Sequence, residues 1–234
     1  CRRGREQRPR RGCGTVELVT HPQLPADLAD RYEPAPVLDR STPFEGRVWD
    51  VVTDRVDLGA AGTVTRDYVQ HTGAVAVVAL RGEPGAEEVL LIQQYRHPVG
   101  TFDWEIPAGL LDVAGEDPQA AAARELAEEA DLAAGEWHVL VDLFTSPGGI
   151  SENIRVFLAR DVRRSDPTDF EREGEEVDMP TGWLPLTAAS DAMLDGRLHN
   201  ATAIAGVLAV LRCAGDYSRL RPADAPWPSH PAYR

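Results

Sequence analysis

Residues 109–132 read GLLDVAGEDPQAAAARELAEEADL, and this stretch decides the fold. Asp117 before Pro118 marks a helix start. The Asp carboxylate can cap the first turn, and a proline there gives up no hydrogen bond, because that N–H has no partner in the helix anyway. The helix is expected to run through AAAARELAEEA to about residue 131. Within it Glu125, Glu128 and Glu129 stand at i, i+3 and i+4, so they share a face and can converge on one point. Three carboxylates on adjacent turns repel, at roughly a few tenths of a kcal/mol per pair on a plain surface helix. A divalent cation removes that repulsion and uses the oxygens; Mg²⁺ prefers hard oxygen ligands, keeps waters and bridges to phosphates. An ordinary amphipathic helix can read the same way, so the helix alone leaves both readings open.

Outward from the helix, strands and turns alternate. Upstream, Ala74–Leu80 (AVAVVAL) reads as a buried strand and Val89–Tyr95 (VLLIQQY) as another, joined by the loop Arg81–Ala86. Residues 44–70 read as a hairpin whose turn is Gly59–Gly62. Downstream, strands are expected at Trp137–Leu143, at Ile154–Ala159 and, last and short, at Trp183–Leu186. Phe170–Val177 reads as an acidic, mobile loop. Residues 188–214 read as helix that Gly196 and Gly206 interrupt or tighten, and the Pro-rich tail from Pro222 as an ordered or frayed extension.

The chain of 234 residues allows one generous domain, or one domain with a small accessory unit. Its 43% hydrophobic and 26% charged residues are ordinary for a soluble globular protein. A net charge of −14 argues against a general nucleic-acid or anionic-membrane binder, but not against a phosphate substrate held through a metal. No apolar run has the length of a membrane span, and no secretory signal is visible. Cys1, Cys13 and Cys213 are odd in number and lack metal-ligand spacing, which fits a reducing cytoplasm. The basic run at residues 1–14 lacks apolar periodicity and is expected to be disordered.

The helix and its flanks resemble the Nudix signature, G-x5-E-x7-R-E-U-x-E-E-x-G-U with U a bulky aliphatic. Gly109, Glu116, Arg124, Glu125, Leu126, Glu128, Glu129 and Leu132 match it. There are two departures. Six residues separate Gly109 from Glu116, and Asp131 stands where the signature has its late glycine. The extra residue falls in the loop before the helix, where it leaves the glutamates' mutual spacing intact. Asp can adopt the left-handed conformation that the glycine supplies. By this resemblance, Glu125 and Glu129 are direct metal ligands, Glu128 binds directly or through water, and the Ala108 carbonyl completes the site. Arg124 and Glu116 orient the glutamates, and Gly109 lets the loop backbone approach the metal. The metal implied is Mg²⁺, with Mn²⁺ a possible substitute.

The segments Gln93–Pro98 and Trp104–Gly109, with Pro147 sixteen residues beyond Asp131, look like the ADP-ribose pyrophosphatase subfamily. The loop Ser146–Glu152 (SPGGISE) adds a Pro-Gly turn followed by a Ser-Glu pair. Glu152 is then the implied catalytic base; Glu173, Glu175 and Glu176 are rivals. Arg96 offers a planar fork to phosphate or ribose, and Arg66 another, from this chain or a partner subunit. Trp49 reads either as a stack for adenine or as a core or interface residue.

The resemblance implies an α/β/α sandwich with a mixed sheet, preceded by a small N-terminal β unit that is exchanged in a homodimer. The expected divisions are an irregular extension at 1–40, the β unit at 41–71, the Nudix domain at 72–214 and a tail at 215–234. The implied reaction is Mg²⁺-dependent hydrolysis of ADP-ribose to AMP and ribose 5-phosphate. GDP-mannose, ADP-glucose, NADH or diadenosine polyphosphates remain open as substrates. A nucleotide sensor without turnover is the reading from another class; it is weakened because all three helix glutamates are present.

Overall fold

In the computed structural model of the chain, residues 21–166 and 179–233 are described. Contacts divide the chain into two units, Cys1–Glu33 and Pro34–Arg234. In the first, residues 21–33 are exposed and form only a turn at 26–27. In the second, the strands are β1 (Val37–Phe44), β2 (Asp50–Asp57), β3 (Thr63–Gln70), β4 (Ala74–Arg81), β5 (Glu88–Arg96), β6 (Thr101–Glu105), β7 (Ala108–Leu110), β8 (Leu132–Phe144), β9 (Asn153–Arg164), β10 (Thr181–Pro185) and β11 (Arg221–Pro222). The helices are α1 (Pro118–Ala130), α2 (Leu186–Leu194) and α3 (Ala201–Cys213).

The run AVAVVAL becomes β4, and its alternation builds two cores. Ala76, Val78 and Leu80 join the cluster formed with Leu186, Ala189, Ala203, Val207 and Val210 of α2 and α3. Val75, Val77 and Ala79 join the cluster formed with Ala121, Ala122 and Leu126 of α1 and with Trp227. A strand covered on both faces needs apolar residues at every position, which explains the unbroken hydrophobic run. The large sheet has the order β10-β5-β4-β9-β8-β11, with β6 paired to β5 and β7 to β4. The β4–β9 pair is parallel and its neighbours are antiparallel, so the sheet is mixed. The α/β/α sandwich is therefore present, and β1-β2-β3 forms the separate small sheet.

Asp117 caps α1, its Oδ1 accepting from the Gln119 and Ala120 N–H groups at 2.9 and 3.0 Å, with Pro118 in the first turn. At the other end Asp131 takes the left-handed conformation (φ 54°, ψ 33°), and its N–H bonds the Ala127 carbonyl. The Asp at the late signature position thus does the work of the missing glycine. Gly206 lies inside α3, where an added Cβ would come within 2.6 Å of Val78. The helical region breaks into α2 and α3 around Gly196 instead.

Several elements differ from the sequence-based expectation. β1 begins at Val37, inside the segment 1–40 expected to be irregular. All eight of its residues are exposed, so no face is buried and no apolar alternation marks it. β6 and β7 are short strands without a pattern of their own. The tail from Pro222, left open as ordered or frayed, is ordered: Trp227 and His230 are buried, and Arg155 donates to the Ala225 and Pro226 carbonyls at 2.7 and 3.1 Å. The expectations for residues 1–14 and for Phe170–Val177 fall outside the described residues.

Candidate active site

A cleft of about 670 Å³ opens where β7, the N-terminus of α3 and one face of α1 meet the loop between β8 and β9. Ala108, Arg124, Glu125, Glu128, Glu129, Glu152, Arg96 and Trp49 all line it. Of the residues singled out from the sequence, Glu116 stands behind Arg124 rather than in the lining, and Arg66 lies away from the cleft. It is exposed on β3 and its guanidinium donates to the Thr65 carbonyl at 2.9 Å. Within one chain it stays outside the cleft. Glu173, Glu175 and Glu176 lie outside the described residues.

One wall is α1 against β7. Glu129 is buried and accepts the Ala108 N–H at 2.9 Å. Gly109 lies so close to the Glu125 carboxyl that a Cβ there would collide with it. Its lack of a side chain therefore makes room for a glutamate. Arg124 sits among three carboxylates: Nη1 donates to Glu125 at 2.6 Å and to Glu128 at 3.1 Å, and Nε and Nη2 donate to Glu116 at 3.1 and 3.2 Å. The Glu116 hydrogen bonds, helped by Glu125, hold the guanidinium charged more firmly than usual, against burial. The arginine thus offsets the like-charge repulsion that the helix spacing creates.

This donor set suits a divalent cation in its chemistry: hard carboxylate oxygens on adjacent turns, facing a main-chain segment with no side chain at Gly109. Among the described residues, no three acidic, imidazole or thiol groups are already gathered as ligands. Arg124 holds Glu125 and Glu128 and the Ala108 N–H holds Glu129, so the carboxylates that would receive a cation are already oriented by these partners.

The other wall is assembled from distant segments. Val69 of β3 bonds the loop before β9 in both directions, its N–H to Gly149 and its carbonyl from Ser151, each at 3.0 Å. That pairing ties the small sheet to the loop carrying Glu152. Glu152 accepts the Thr145 hydroxyl at one oxygen. His71 Nε2 lies 3.1 Å from the other. Burial pushes the His71 imidazole below its ordinary 6.5, against the pull of Glu152. Trp49 stacks on the His71 ring, with centroids 4.0 Å apart and planes at 20°. The indole is thus engaged within its own chain, and one of its faces is already covered. Arg96 is likewise held, by Glu105 at 2.7 and 2.8 Å. His71 and Thr145 escaped the sequence reading, because neither has a spacing relation to Glu152 that marks it.

The sequence profile of the NUDIX domain matches residues 70–205. The chain belongs to the Nudix hydrolase family. It is 43% identical over 194 residues to the ADP-ribose pyrophosphatase of Mycobacterium tuberculosis, spanning 83% of this chain and 91% of that protein. It is 34% identical to the methanol dehydrogenase activator of Bacillus methanolicus, over 70% of this chain and 85% of that one. Among solved structures, the crystal structure of an ADP compounds hydrolase aligns with a TM-score of 0.64 at 21% identity, covering 79% of this chain and 96% of that one. That likeness shows the Nudix fold. Among the described residues, no helix is long and apolar enough to cross a membrane.

Proposed function

We propose that this chain hydrolyses the diphosphate bond of ADP-ribose to AMP and ribose 5-phosphate. The observation that carries the reading is the pairing, across one cleft, of the glutamate face of α1 with Glu152. The substrate is supported by the 43% identical ADP-ribose pyrophosphatase. Glu125, Glu128, Glu129 and the Ala108 carbonyl would hold a divalent cation, Mg²⁺ by preference and Mn²⁺ as a substitute. Such a cation neutralises diphosphate charge and makes a water at the site more acidic. Glu152 takes the proton of the attacking water. Arg124 keeps the glutamates aligned, and Arg96, preset by Glu105, faces the phosphate or ribose.

The active form in this reading is a homodimer in the reducing cytoplasm. Val37, Leu38, Phe44 and Val48 in or beside the small sheet are 47–65% exposed, as an interface would require. Arg66 reaches a cleft only in the partner subunit.

The test is product formation from ADP-ribose, ADP-glucose, GDP-mannose, NADH and diadenosine polyphosphates, with and without Mg²⁺. Mg²⁺-dependent release of AMP, fastest from ADP-ribose, is the expected result. Faster cleavage of another compound moves the specificity, and no cleavage of any by a folded, metal-supplied dimer removes the enzyme reading.

A further inference from the structure

We propose that His71 is a positioning residue for Glu152, a neutral Nε2–H donor whose tautomer is fixed by the backbone N–H of Gly73. The inference rests on the reading of Glu152 as the base. A neutral imidazole has one donor and one acceptor nitrogen, and a charged one has two donors. The Gly73 N–H meets His71 Nδ1 at 3.0 Å. A backbone N–H only donates, so Nδ1 accepts and the ring proton sits on Nε2. Nε2 is the atom 3.1 Å from Glu152 Oε1.

The surroundings hold this state. The His71 side chain is 4% exposed, and burial disfavours the imidazolium. Protonation would also set Nδ1–H against the Gly73 N–H. Trp49 covers one face of the ring and so limits its tilt. His230 braces the same turn from the C-terminal tail, its Nε2 lying 3.0 Å from the Thr72 carbonyl. Glu152 is thus gripped at one oxygen by His71 and at the other by Thr145. Each oxygen keeps a lone pair for a water proton.

Neutrality matters to the chemistry. An imidazolium beside a carboxylate lowers its basicity; a neutral N–H orients the carboxylate with less loss of proton affinity. The imidazole therefore serves orientation without turning the base into half of an ion pair.

Two variants test this with ADP-ribose and Mg²⁺. His71→Phe keeps a ring for Trp49 and loses the donor, and His71→Gln keeps an N–H at a similar reach. For His71→Phe, kcat is expected to fall about 10- to 100-fold with KM within about threefold. The acid limb of its kcat–pH profile should move up by about one pH unit, and His71→Gln should recover most of both. Wild-type kcat and acid limb in His71→Phe overturn the proposal, as does equal damage in both variants. Nitrogen-15 NMR of the folded wild-type protein at pH 7 tests it without any variant. The Nε2–H tautomer is expected, and an Nδ1–H tautomer or an imidazolium overturns the proposal. Glu152→Gln separates the two levels. Retained activity there sinks the base reading itself, whereas its loss beside a fully active His71→Phe sinks only this inference.

Discussion

The two walls of the cleft are held by opposite means. On the α1 wall, Glu116, Glu125 and Glu128 surround one guanidinium, and Glu129 takes a backbone N–H. Full charges balance full charges there, and all the side chains come from one helix and the residue just before its cap. On the facing wall a single carboxylate, Glu152, is held by a hydroxyl and an imidazole drawn from two other segments. The first arrangement suits exchange of partners, since each carboxylate that leaves Arg124 can find another cation. The second suits a group that must stay basic and stay put.

This contrast can be broken experimentally. The largest effect is expected from Glu129→Gln, which should lower kcat by about a thousandfold and raise the Mg²⁺ concentration needed for half-maximal residual activity. Glu152→Gln should cost about a hundredfold or more in kcat with the Mg²⁺ requirement unchanged. A shift in metal requirement there would mean that the two walls share one role.

The tail behind both walls offers a stability test. Trp227 is 1% exposed beneath the Arg155 guanidinium, and Tyr233, stacked on it, donates to the Glu116 carbonyl at 3.0 Å. Trp227→Ala should destabilise the fold by about 3–5 kcal/mol in urea denaturation. Asp131→Gly, which relieves a left-handed non-glycine residue, should stabilise by roughly 0.5–1 kcal/mol in the same measurement. The smallest effect is on pH. His71 is held below 6.5, so the unfolded chain binds its proton first, and stability is lost as pH falls below about 6.5. His71→Gln should flatten the dependence of the unfolding midpoint in that window.

The α1 wall was legible in the sequence because its logic is local. A cap, a proline and a 3.6-residue period place Glu125, Glu128 and Glu129 without knowledge of anything distant. The left-handed Asp131 was reached through the resemblance, which places a glycine at that position. β4 was legible because both its faces are buried. β1 was not, because none of its residues is. The absence of a side chain at Gly109 also leaves the space that the Glu125 carboxyl fills, a contact no local pattern announces. The facing wall depends on chain segments joined only by folding: the end of β3, the end of β8 and the loop before β9. Glu152 was reached through resemblance, and His71 through neither resemblance nor pattern.

The stack of Trp49 on His71 has a spectroscopic consequence. An imidazolium quenches an indole lying against it far more than a neutral imidazole does. Trp49 emission should therefore dim when the imidazole gains a proton, against a background from Trp104, Trp137, Trp183 and Trp227. The protein thus carries an intrinsic optical indicator beside its cleft, and its response to acid or to a bound nucleotide can be followed without a label.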